Sequence, residues 1–309
     1  MSKPKVLVIG SANIDLVTTA PRCPKPGESL IGRSFATFPG GKGANQAVAA
    51  ARLGAETYFA GCVGDDAFGE MQRRALTAAG VNVDYLKLDP KKPTGTAVII
   101  VSDEGQNAIV VTPSANLGIA PADVARLGPL FDGLDAVLLQ LEIPLETVEA
   151  ALDMARTRDV LSILDAGPAQ AVPEDIVKKA ALVSPNETEA EAMTRVAVTS
   201  TEDAKAAAAA LIKMGAAQVV MKLGALGALY MNSGDSFQVP AFQVSAVDTV
   251  AAGDAFTAAL GVAWRGLGPR AAIRFANAAG ALATTVAGAQ PSMPTRAAVD
   301  QFLQERDVS

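Results

Sequence analysis

The chain has 309 residues, and 50% of them are hydrophobic, which is enough for one large domain or two ordinary ones. Its formal net charge of −6 and its scattered Lys and Arg residues argue against a non-specific nucleic-acid binder, because phosphate contacts need a basic surface. Histidine is absent, which excludes Ser-His-Asp triads, Cys-His pairs and His-containing zinc sites. Proton transfer near neutral pH must then fall to Asp, Glu, Lys or Tyr.

The N-terminal segment predicts neither export nor membrane insertion. Its apolar run, Val6 to Ile9, is too short for a signal-peptide core or a membrane span. The two cysteines, Cys23 and Cys62, lie far apart without metal-ligand spacing, and we interpret them as reduced packing residues. We therefore expect a cytoplasmic protein without a membrane partner.

Strand and helix patterns alternate from the N-terminus. The run 6–9 is β-branched and unbroken, as in a strand that is buried on both faces. Several helical patterns stop at a glycine, such as Gly54, Gly80 and Gly215, which suits a helix C-terminus. In chain order we predict strand 6–9, helix 44–53, strand 57–62, helix 66–79, strand 136–140, helix 144–157, strands 160–164 and 181–184, helix 201–214 and strand 217–223. This alternation predicts an open, mostly parallel sheet with right-handed crossovers, which binds ligands beyond the carboxyl ends of its strands.

Two stretches, 14–38 and 94–111, lack a helical period. The second contains two β-rich runs about an Asp-Glu-Gly turn, which is a hairpin signal. We expect the two stretches to form a small β-sheet, inserted in the α/β body, that serves as a lid over the active site. The C-terminal third is predicted to be helical over 254–265, 269–287 and 295–305.

The segment DTVAAGDAF at 248–256 leads from a turn into the first of these helices. Its small residues 251–253 allow a ligand to approach the backbone, and the unpaired N–H groups at a helix start attract anions. Asp254, in the first helical turn, could accept a proton from an attacking hydroxyl. The alternative is that Asp254 only stabilises the helix dipole.

A second glycine-rich segment, PGGKGANQ at 39–46, also runs into a helix. It is not a Walker loop, because Ala36 and Gly43 stand where that motif requires Gly and Ser or Thr. Its glycines clear space, while Lys42 and Asn45 supply hydrogen-bond donors. These features favour a polyhydroxyl or phosphate ligand over a tight turn with a solvated lysine.

Polar side chains follow two predicted strands at the binding edge of the sheet. Asn13 and Asp15 follow the first strand, and Glu142 follows strand 136–140. Buried acids and amides of this kind discriminate strongly between sugars through hydroxyl contacts. Each residue taken singly could instead be a helix cap or a loop charge, but their shared edge favours a sugar site.

The segments GGKGANQAVAAARLGA and DTVAAGDAF resemble the two signature segments of the ribokinase-like carbohydrate kinases. The resemblance extends along the whole chain through QLEIPLETV, SPNETEAE, KLGALGA and GAQPSMP. It implies one ribokinase-like domain over 1–309, folded as a three-layer α/β/α sandwich with a β-sheet lid that also forms a homodimer interface. It further implies phosphoryl transfer from ATP to the 5-hydroxyl of D-ribose, with Mg²⁺ as cofactor and K⁺ or a similar monovalent cation as activator.

The resemblance also implies roles for individual residues. Asp254 matches the catalytic base, and the anion hole matches the backbone amides of Ala251, Ala252, Gly253 and Asp254. The positions that match sugar contacts are Asn13, Asp15, Gly41, Lys42, Asn45, Glu142 and Asp254. Those that match nucleotide contacts are Asn186, Lys222, Leu223, Gly224, Ala225, Leu226, Gly227, Gly253 and Asn277. The potassium site matches Asp248, Val250, Ala283, Val286, Gly288 and Ser292, and the residues associated with magnesium and phosphate match Asn186 and Glu189.

Two alternatives stay open at this point. The first is a kinase for another small sugar, such as 2-deoxyribose, or for a nucleoside. The second is a non-catalytic sugar-binding regulator on the same fold, although a mere binder would not need the base at Asp254. Lys222 departs from the family pattern, which often has a small hydroxyl residue at this position, and this puts the nucleotide contacts in doubt but not the fold.

Overall fold

The computed structural model describes residues 3–307, so the first two and last two residues of the predicted 1–309 domain lie outside it. The described strands, numbered in chain order, are β1 (Lys5–Ile9), β2 (Asn13–Ala20), β3 (Ser34–Gly40), β4 (Glu56–Gly64), β5 (Asn82–Asp89), β6 (Gly95–Ser102), β7 (Asn107–Thr112), β8 (Ala136–Leu139), β9 (Leu161–Asp165), β10 (Leu182–Ser184), β11 (Gln218–Lys222), β12 (Ala228–Asn232) and β13 (Ser236–Val239).

Nine of these strands form one sheet in the order β13-β12-β11-β10-β9-β8-β1-β4-β5. All neighbours from β11 to β5 are parallel, while β12 and β13 add an antiparallel edge. The mostly parallel sheet predicted from the sequence is confirmed. The sequence did not predict β5, β12 or β13. In β5 the pairing register shifts opposite Tyr58 and Ala60, and this irregularity interrupts the alternation that marks a strand.

The described helices are α1 (Lys42–Arg52), α2 (Ala67–Ala78), α3 (Pro121–Arg126), α4 (Gly128–Phe131), α5 (Leu145–Thr157), α6 (Glu174–Val177), α7 (Glu187–Thr194), α8 (Thr201–Lys213), α9 (Ala252–Leu267), α10 (Pro269–Ala283), α11 (Ala289–Ser292) and α12 (Arg296–Asp307). Among residues 3–307, no helix is long and apolar enough to cross a membrane.

Several predicted helix boundaries need correction. The helix predicted over 269–287 ends at Ala283, where the hydroxyls of Thr284 and Thr285 donate to the carbonyls of Ala281 and Leu282, 2.7 Å away in both cases. Such side-chain bonds compete with the helical ladder, so the chain turns there. The helix predicted from 254 begins two residues earlier, at Ala252.

The helices cover both faces of the nine-stranded sheet, which gives the predicted three-layer sandwich. In β1, Val6 and Val8 pack in the core beneath α1, α9, α10 and α12, whereas Leu7 and Ile9 pack in the core beneath α3 to α8. All four side chains are fully buried. Each contributes about 1.5–3 kcal/mol of hydrophobic stabilisation. The unbroken apolar run of β1 therefore follows from its place at the centre of the sheet.

A separate four-stranded sheet has the order β3-β2-β6-β7. The predicted hairpin is confirmed, because β6 and β7 pair antiparallel about a turn in which the Gln106 carbonyl accepts a 2.8 Å bond from the Ser102 N–H. β2 pairs antiparallel with β3 and parallel with β6. The segment between β2 and β3, residues 21–33, contributes no strand.

Candidate active site

Asp254 lies in the first turn of α9, just after Ala251, whose left-handed conformation has a φ of 60°. Such a conformation costs about 1–3 kcal/mol for a non-glycine residue and is found preferentially at functional sites. The helical ladder starts with the Ala255 N–H, which donates to the Ala251 carbonyl at 3.0 Å. The N–H groups of Gly253 and Asp254 precede the ladder, whereas that of Ala252 donates to the Thr249 carbonyl at 3.3 Å. Of the amides predicted to form the anion hole, those of Gly253 and Asp254 therefore lie at the start of α9 ahead of the ladder.

Two amides from α1 hold the Asp254 carboxylate. Asn45 Nδ2 donates to one oxygen at 3.0 Å, and Gln46 Nε2 donates to the other at 3.2 Å. The glycines before these amides allow α1 to start close to β1 and β2: a Cβ at Gly41, whose φ is +89°, would lie 2.6 Å from the Asn13 nitrogen. A side chain at this position would push α1 and its amides away from Asp254.

Burial raises the pKa of Asp254 to about 6, although Lys42 and the two amides partly offset that rise. Asp254 is only 4% exposed. Burial together with the charges of Glu142 and Asp254 raises the pKa of Asp15 to about 7. A carboxylate with a pKa near neutrality accepts a proton more readily than an ordinary aspartate does, as a general base requires.

The residues predicted to contact a sugar converge near the end of β1. The Asn13 Oδ1 accepts a 2.6 Å bond from Asn116 Nδ2. The Glu142 carboxylate accepts a bond from the Ser11 hydroxyl and a 3.4 Å bond from the Lys42 N–H. The structure thus brings together all the predicted sugar positions, which are Asn13, Asp15, Gly41, Lys42, Asn45, Glu142 and Asp254.

Asp165 is a second fully buried carboxylate, which the sequence reasoning missed. It ends β9 and accepts bonds from Gln46 Nε2 at 2.8 Å, Lys222 Nζ at 2.9 Å and the Thr257 hydroxyl at 3.2 Å. Burial favours its neutral form, but Lys222 and Lys42 outweigh this and hold the pKa of Asp165 below its ordinary value. The missed signal was an acid at the end of a buried strand, the same kind of signal that pointed to Glu142.

Two lysines partly neutralise this acidic site. Burial opposes the charge of Lys42, but the carboxylates of Asp165, Asp254, Glu189 and Glu142 raise its pKa above the ordinary value. Burial likewise opposes the charge of Lys222, and Asp165 and Glu189 raise its pKa. Both lysines are therefore ammonium ions at neutral pH, and the carboxylates around them leave the site with net negative charge.

A cavity of about 350 Å³ adjoins the start of α9. Apolar side chains such as Phe242, Val244 and Phe256 line much of it, as expected for the site of a flat heterocycle. Asn277 donates to the carbonyls of Val239 and Pro240 at 3.0 Å and so holds the chain that enters the cavity wall. The lining includes these predicted nucleotide positions: Lys222, Gly224, Ala225, Gly227, Gly253 and Asn277.

Three predicted nucleotide positions have other surroundings. Leu223 is buried in the core, and the Leu226 side chain is exposed. Asn186 caps α7: its Oδ1 accepts the Glu189 N–H, and the Glu189 carboxylate accepts the Asn186 N–H, both at 2.8 Å. This capping box places Glu189 within 3.7 Å of Lys222, which links α7 to the cavity.

The predicted potassium positions lie on two connected turns. The Asp248 carboxylate accepts the Val250 N–H at 3.0 Å and the Gly288 N–H at 2.9 Å, which joins the turn before α9 to the segment after α10. Ala283 is the last residue of α10, and the Ser292 hydroxyl donates to the Ala289 carbonyl at 2.7 Å. Val286 is partly exposed between them. Within residues 3–307, no group of three or more Cys, Asp or Glu side chains is placed to hold a metal ion.

Comparisons with known proteins agree with this geometry. Residues 3–296 match the family described as pfkB family carbohydrate kinase. A ribokinase of Bacillus subtilis is 40% identical over 299 residues, which cover 96% of this chain and 99% of that protein. A deoxyribokinase of Salmonella typhi is 35% identical over 96% of this chain and 98% of that protein.

Solved structures give the same result. The structure of Arabidopsis thaliana ribokinase complexed with ribose and ATP superposes with a TM-score of 0.90 at 35% identity, covering 98% of this chain and 99% of that one. The match spans both sheets and the candidate site. The chain belongs to the pfkB family of carbohydrate kinases.

Proposed function

We propose that the protein phosphorylates D-ribose at its 5-hydroxyl with ATP and releases D-ribose 5-phosphate and ADP. The main support for this proposal is the position of Asp254 between the predicted sugar positions and the cavity. Its buried carboxylate accepts a hydrogen bond from Asn45, one of the predicted sugar positions, and its neighbours Ala252 and Gly253 line the cavity. Ribose and ATP are the ligands of the Arabidopsis relative, and this chain is 40% identical to a Bacillus ribokinase.

The reaction needs a base and stabilisation of the transferring group. Asp254 takes the proton of the 5-hydroxyl as that oxygen forms a bond to the γ-phosphorus, and the bond to the bridging oxygen breaks so that its electrons leave with ADP. The N–H groups of Gly253 and Asp254, at the positive end of α9, offset charge on the phosphoryl oxygens. No histidine is required, in agreement with its absence from the chain.

The sugar cluster supplies both donors and acceptors for hydroxyls. Asn13, Asp15 and Glu142 offer acceptor oxygens, and Lys42 offers an ammonium group. The Asn45 Oδ1 is buried without a hydrogen-bond partner among the described residues, while its Nδ2 donates to Asp254. Because an unpaired buried acceptor costs about 1–3 kcal/mol, we infer that a sugar hydroxyl satisfies it.

The net negative charge of the site supports Mg²⁺ as the cofactor that accompanies ATP. Carboxylate oxygens are the ligands that Mg²⁺ prefers, and in kinases the ion is held by substrate phosphates with one or two carboxylates rather than by an all-protein cage. Glu189 is the carboxylate that would approach it, because it lies beside Lys222 at the cavity. When bound, Mg²⁺ neutralises charge on the phosphates.

The two turns joined by Asp248 support a monovalent-cation site. By the family resemblance, the Asp248 carboxylate, the Ser292 hydroxyl and the carbonyls of Val250, Ala283, Val286 and Gly288 would supply an all-oxygen donor set, which suits a large and weakly hydrated cation such as K⁺. Because Asp248 lies shortly before Ala251 and α9, a cation held here would order the turn that presents the anion hole.

We also propose that the four-stranded sheet is a lid and a dimer interface. β2 carries Asn13 and Asp15, so this sheet reaches the sugar cluster. Val98 and Val110 pair across β6 and β7 and so share one face of this sheet; they are 45% and 66% exposed, an apolar patch of the kind that marks protein contacts. A second copy of the chain would cover this patch.

The domain organisation and the cellular compartment of the protein can also be inferred. We infer that residues 1–309 form one kinase domain, since the family match covers residues 3–296 and one core cluster joins residues from Val6 to Phe302. The free cysteines, Cys23 and Cys62, suit a reducing compartment, which supports a cytoplasmic enzyme.

The proposal is tested by measuring ADP release across D-ribose, 2-deoxy-D-ribose, other pentoses and nucleosides. We expect the highest kcat/KM with D-ribose. The Salmonella deoxyribokinase makes 2-deoxyribose the second candidate, and a higher kcat/KM with that sugar would reassign the substrate. Ribose binding without turnover of any acceptor would instead favour a sugar-binding regulator.

A further inference from the structure

Lys222 and Asp165 form an ion pair inside the protein. The Lys222 ammonium is 2.9 Å from Asp165 and 3.7 Å from Glu189, and its side chain is only 12% exposed. Removing both charges from water is unfavourable, and replacing a buried pair by apolar residues is often neutral or stabilising. Stability alone is therefore a weak reason for this chain to carry the pair.

The pair lies where the proposed phosphoryl transfer takes place. Lys222 lines the nucleotide cavity, and a Cβ at Gly253 would be 4.0 Å from its Nζ. The ammonium is thus next to the start of α9, where the N–H groups of Gly253 and Asp254 form the anion hole.

Asp165 connects this ammonium to the base. Its Oδ1 accepts from Lys222, and its Oδ2 accepts from Thr257 on α9 and from Gln46. The same Gln46 nitrogen donates to Asp254, and Gln140 holds the Gln46 Oε1 at 2.6 Å. The ammonium and the base are therefore fixed in one hydrogen-bonded network that spans β9, β11, α1 and α9.

We propose that Lys222 is a catalytic residue that stabilises the negative charge of the phosphoryl group during transfer, and that Asp165 is the positioning residue that holds it there. The inference rests on the proposed function. Lys222 keeps its proton throughout, so the proton of the acceptor hydroxyl still goes to Asp254 and the leaving electrons still go to ADP. A preorganised charge of this kind acts without reorganisation at the moment of reaction.

Lys179 provides a matched control. Its ammonium is 2.7 Å from both Glu149 and Asp153, and its side chain is 15% exposed, close to that of Lys222, although its two carboxylate partners are more exposed than Asp165 and Glu189. It lies on the connection after α6 and does not line the nucleotide cavity. Lys179→Met therefore controls for the loss of a mostly buried, paired lysine away from the cavity, and the double variant with Asp165→Asn controls for the buried carboxylate that Lys222→Met leaves unpaired.

The experiment compares Lys222→Met, Lys222→Arg, Asp165→Asn, the Lys222→Met/Asp165→Asn double variant and Lys179→Met. Loss of one preorganised donor typically lowers kcat about 10²–10³-fold, which we expect for Lys222→Met, with little change in the KM for ribose. Lys222→Arg should recover part of that loss, and Lys179→Met should keep the wild-type kcat. The double variant should lose no more than Lys222→Met, because residues that act as a unit are not additive.

A second readout does not depend on sugar turnover. MgADP with aluminium fluoride, which mimics the planar phosphoryl group, should bind Lys222→Met at least about tenfold more weakly than wild type, whereas MgADP alone binds both equally. Equal binding of the mimic, a kcat near wild type for Lys222→Met, or additive losses in the double variant would overturn the inference. A wild-type protein that binds the mimic but phosphorylates no ribose would reject the proposed function instead.

Discussion

Strands β7 and β8 are both apolar, but they have opposite surroundings. All residues of β8, Ala136–Leu139, are buried, whereas all residues of β7, Asn107–Thr112, are exposed. β8 lies between β9 and β1 inside the nine-stranded sheet, while β7 is the edge of the four-stranded sheet. The pattern of side chains predicts a strand in each case, but the neighbours of the strand decide whether it is buried.

The two sheets also contribute differently to the site. The groups proposed for chemistry, Asp254, Asp165 and Lys222, belong to the α/β body, whereas Asn13 and Asp15 belong to the small sheet. We therefore expect changes in the α/β body to lower kcat or overall stability. Changes in the small sheet should instead weaken ribose binding or self-association.

The largest expected effect is in the α/β body. Asp254→Asn should lower kcat by about 10²–10⁴-fold, because it removes the general base, and calorimetry should still detect ribose binding. Asp300→Asn, which changes an exposed aspartate paired with Arg296, should have wild-type kinetics. Activity of Asp254→Asn within a factor of a few of wild type would refute the role of the base.

The pH profile gives a second readout of the same residue. Only the ionised carboxylate accepts the proton, and burial raises the pKa of Asp254 to about 6. Activity should therefore be full above that pH and fall about tenfold per pH unit below it. A wild-type profile that stays flat down to the ordinary aspartate range would contradict the buried environment of Asp254.

Variants in the two sheets should also differ in their effects on folding stability and self-association. Leu138→Ala in β8 should lower the free energy of unfolding by about 2–5 kcal/mol, because it leaves a cavity in a fully buried core. Val110→Asp in β7 should leave the protein folded but shift it from dimer to monomer. Urea unfolding and sedimentation velocity measure the two effects. Unchanged sedimentation of Val110→Asp would show that β7 is not an interface.

Sugar affinity tests the small sheet directly. Asp15→Ala should raise the KM for ribose by about 5–150-fold, since a lost buried hydrogen bond costs about 1–3 kcal/mol, with little change in the KM for ATP. Glu142→Ala, on the facing side of the cluster, should act similarly. Asp103→Ala, in the turn of the same small sheet, is the control. Equal increases in both KM values would mean that Asp15 supports the fold.

The smallest expected effect concerns the proposed cation site. K⁺ should raise kcat at saturating substrates more than Na⁺ does at equal ionic strength, because the ion orders the turn before α9. Asp248→Ala should remain folded and lose this activation. Identical rates in the two salts would contradict the cation site. Asp248 would then have only a structural role, through its bonds to Val250 and Gly288.

Local sequence patterns were sufficient to predict much of the fold and part of the candidate site. Buried parallel strands such as β1 are unbroken apolar runs, and the small residues before Asp254 mark a helix start that a ligand can approach. Each of these signals is contained within a few consecutive residues of the chain. The strands of the small sheet and the hairpin of β6 and β7 were predictable for the same reason.

The rest depends on contacts between distant parts of the chain. Asp165 is bonded to Gln46, 119 residues away, and Gln46 is bonded to Asp254, 208 residues away. No local spacing indicates that these side chains share one network. The end of α10 at Ala283 likewise depends on hydroxyl bonds of Thr284 and Thr285, which helical periodicity does not predict.

Asp254 in the α/β body is proposed to act as the general base in transfer of the γ-phosphoryl group from ATP to the 5-hydroxyl of ribose. Phosphorus NMR of wild-type protein with MgATP and D-ribose tests it most directly. We expect ADP and a phosphomonoester signal that is split into a triplet by the two protons on C5, and no such signal with Asp254→Asn. A doublet from phosphate on a carbon with one proton, or the same product from Asp254→Asn, would contradict the claim.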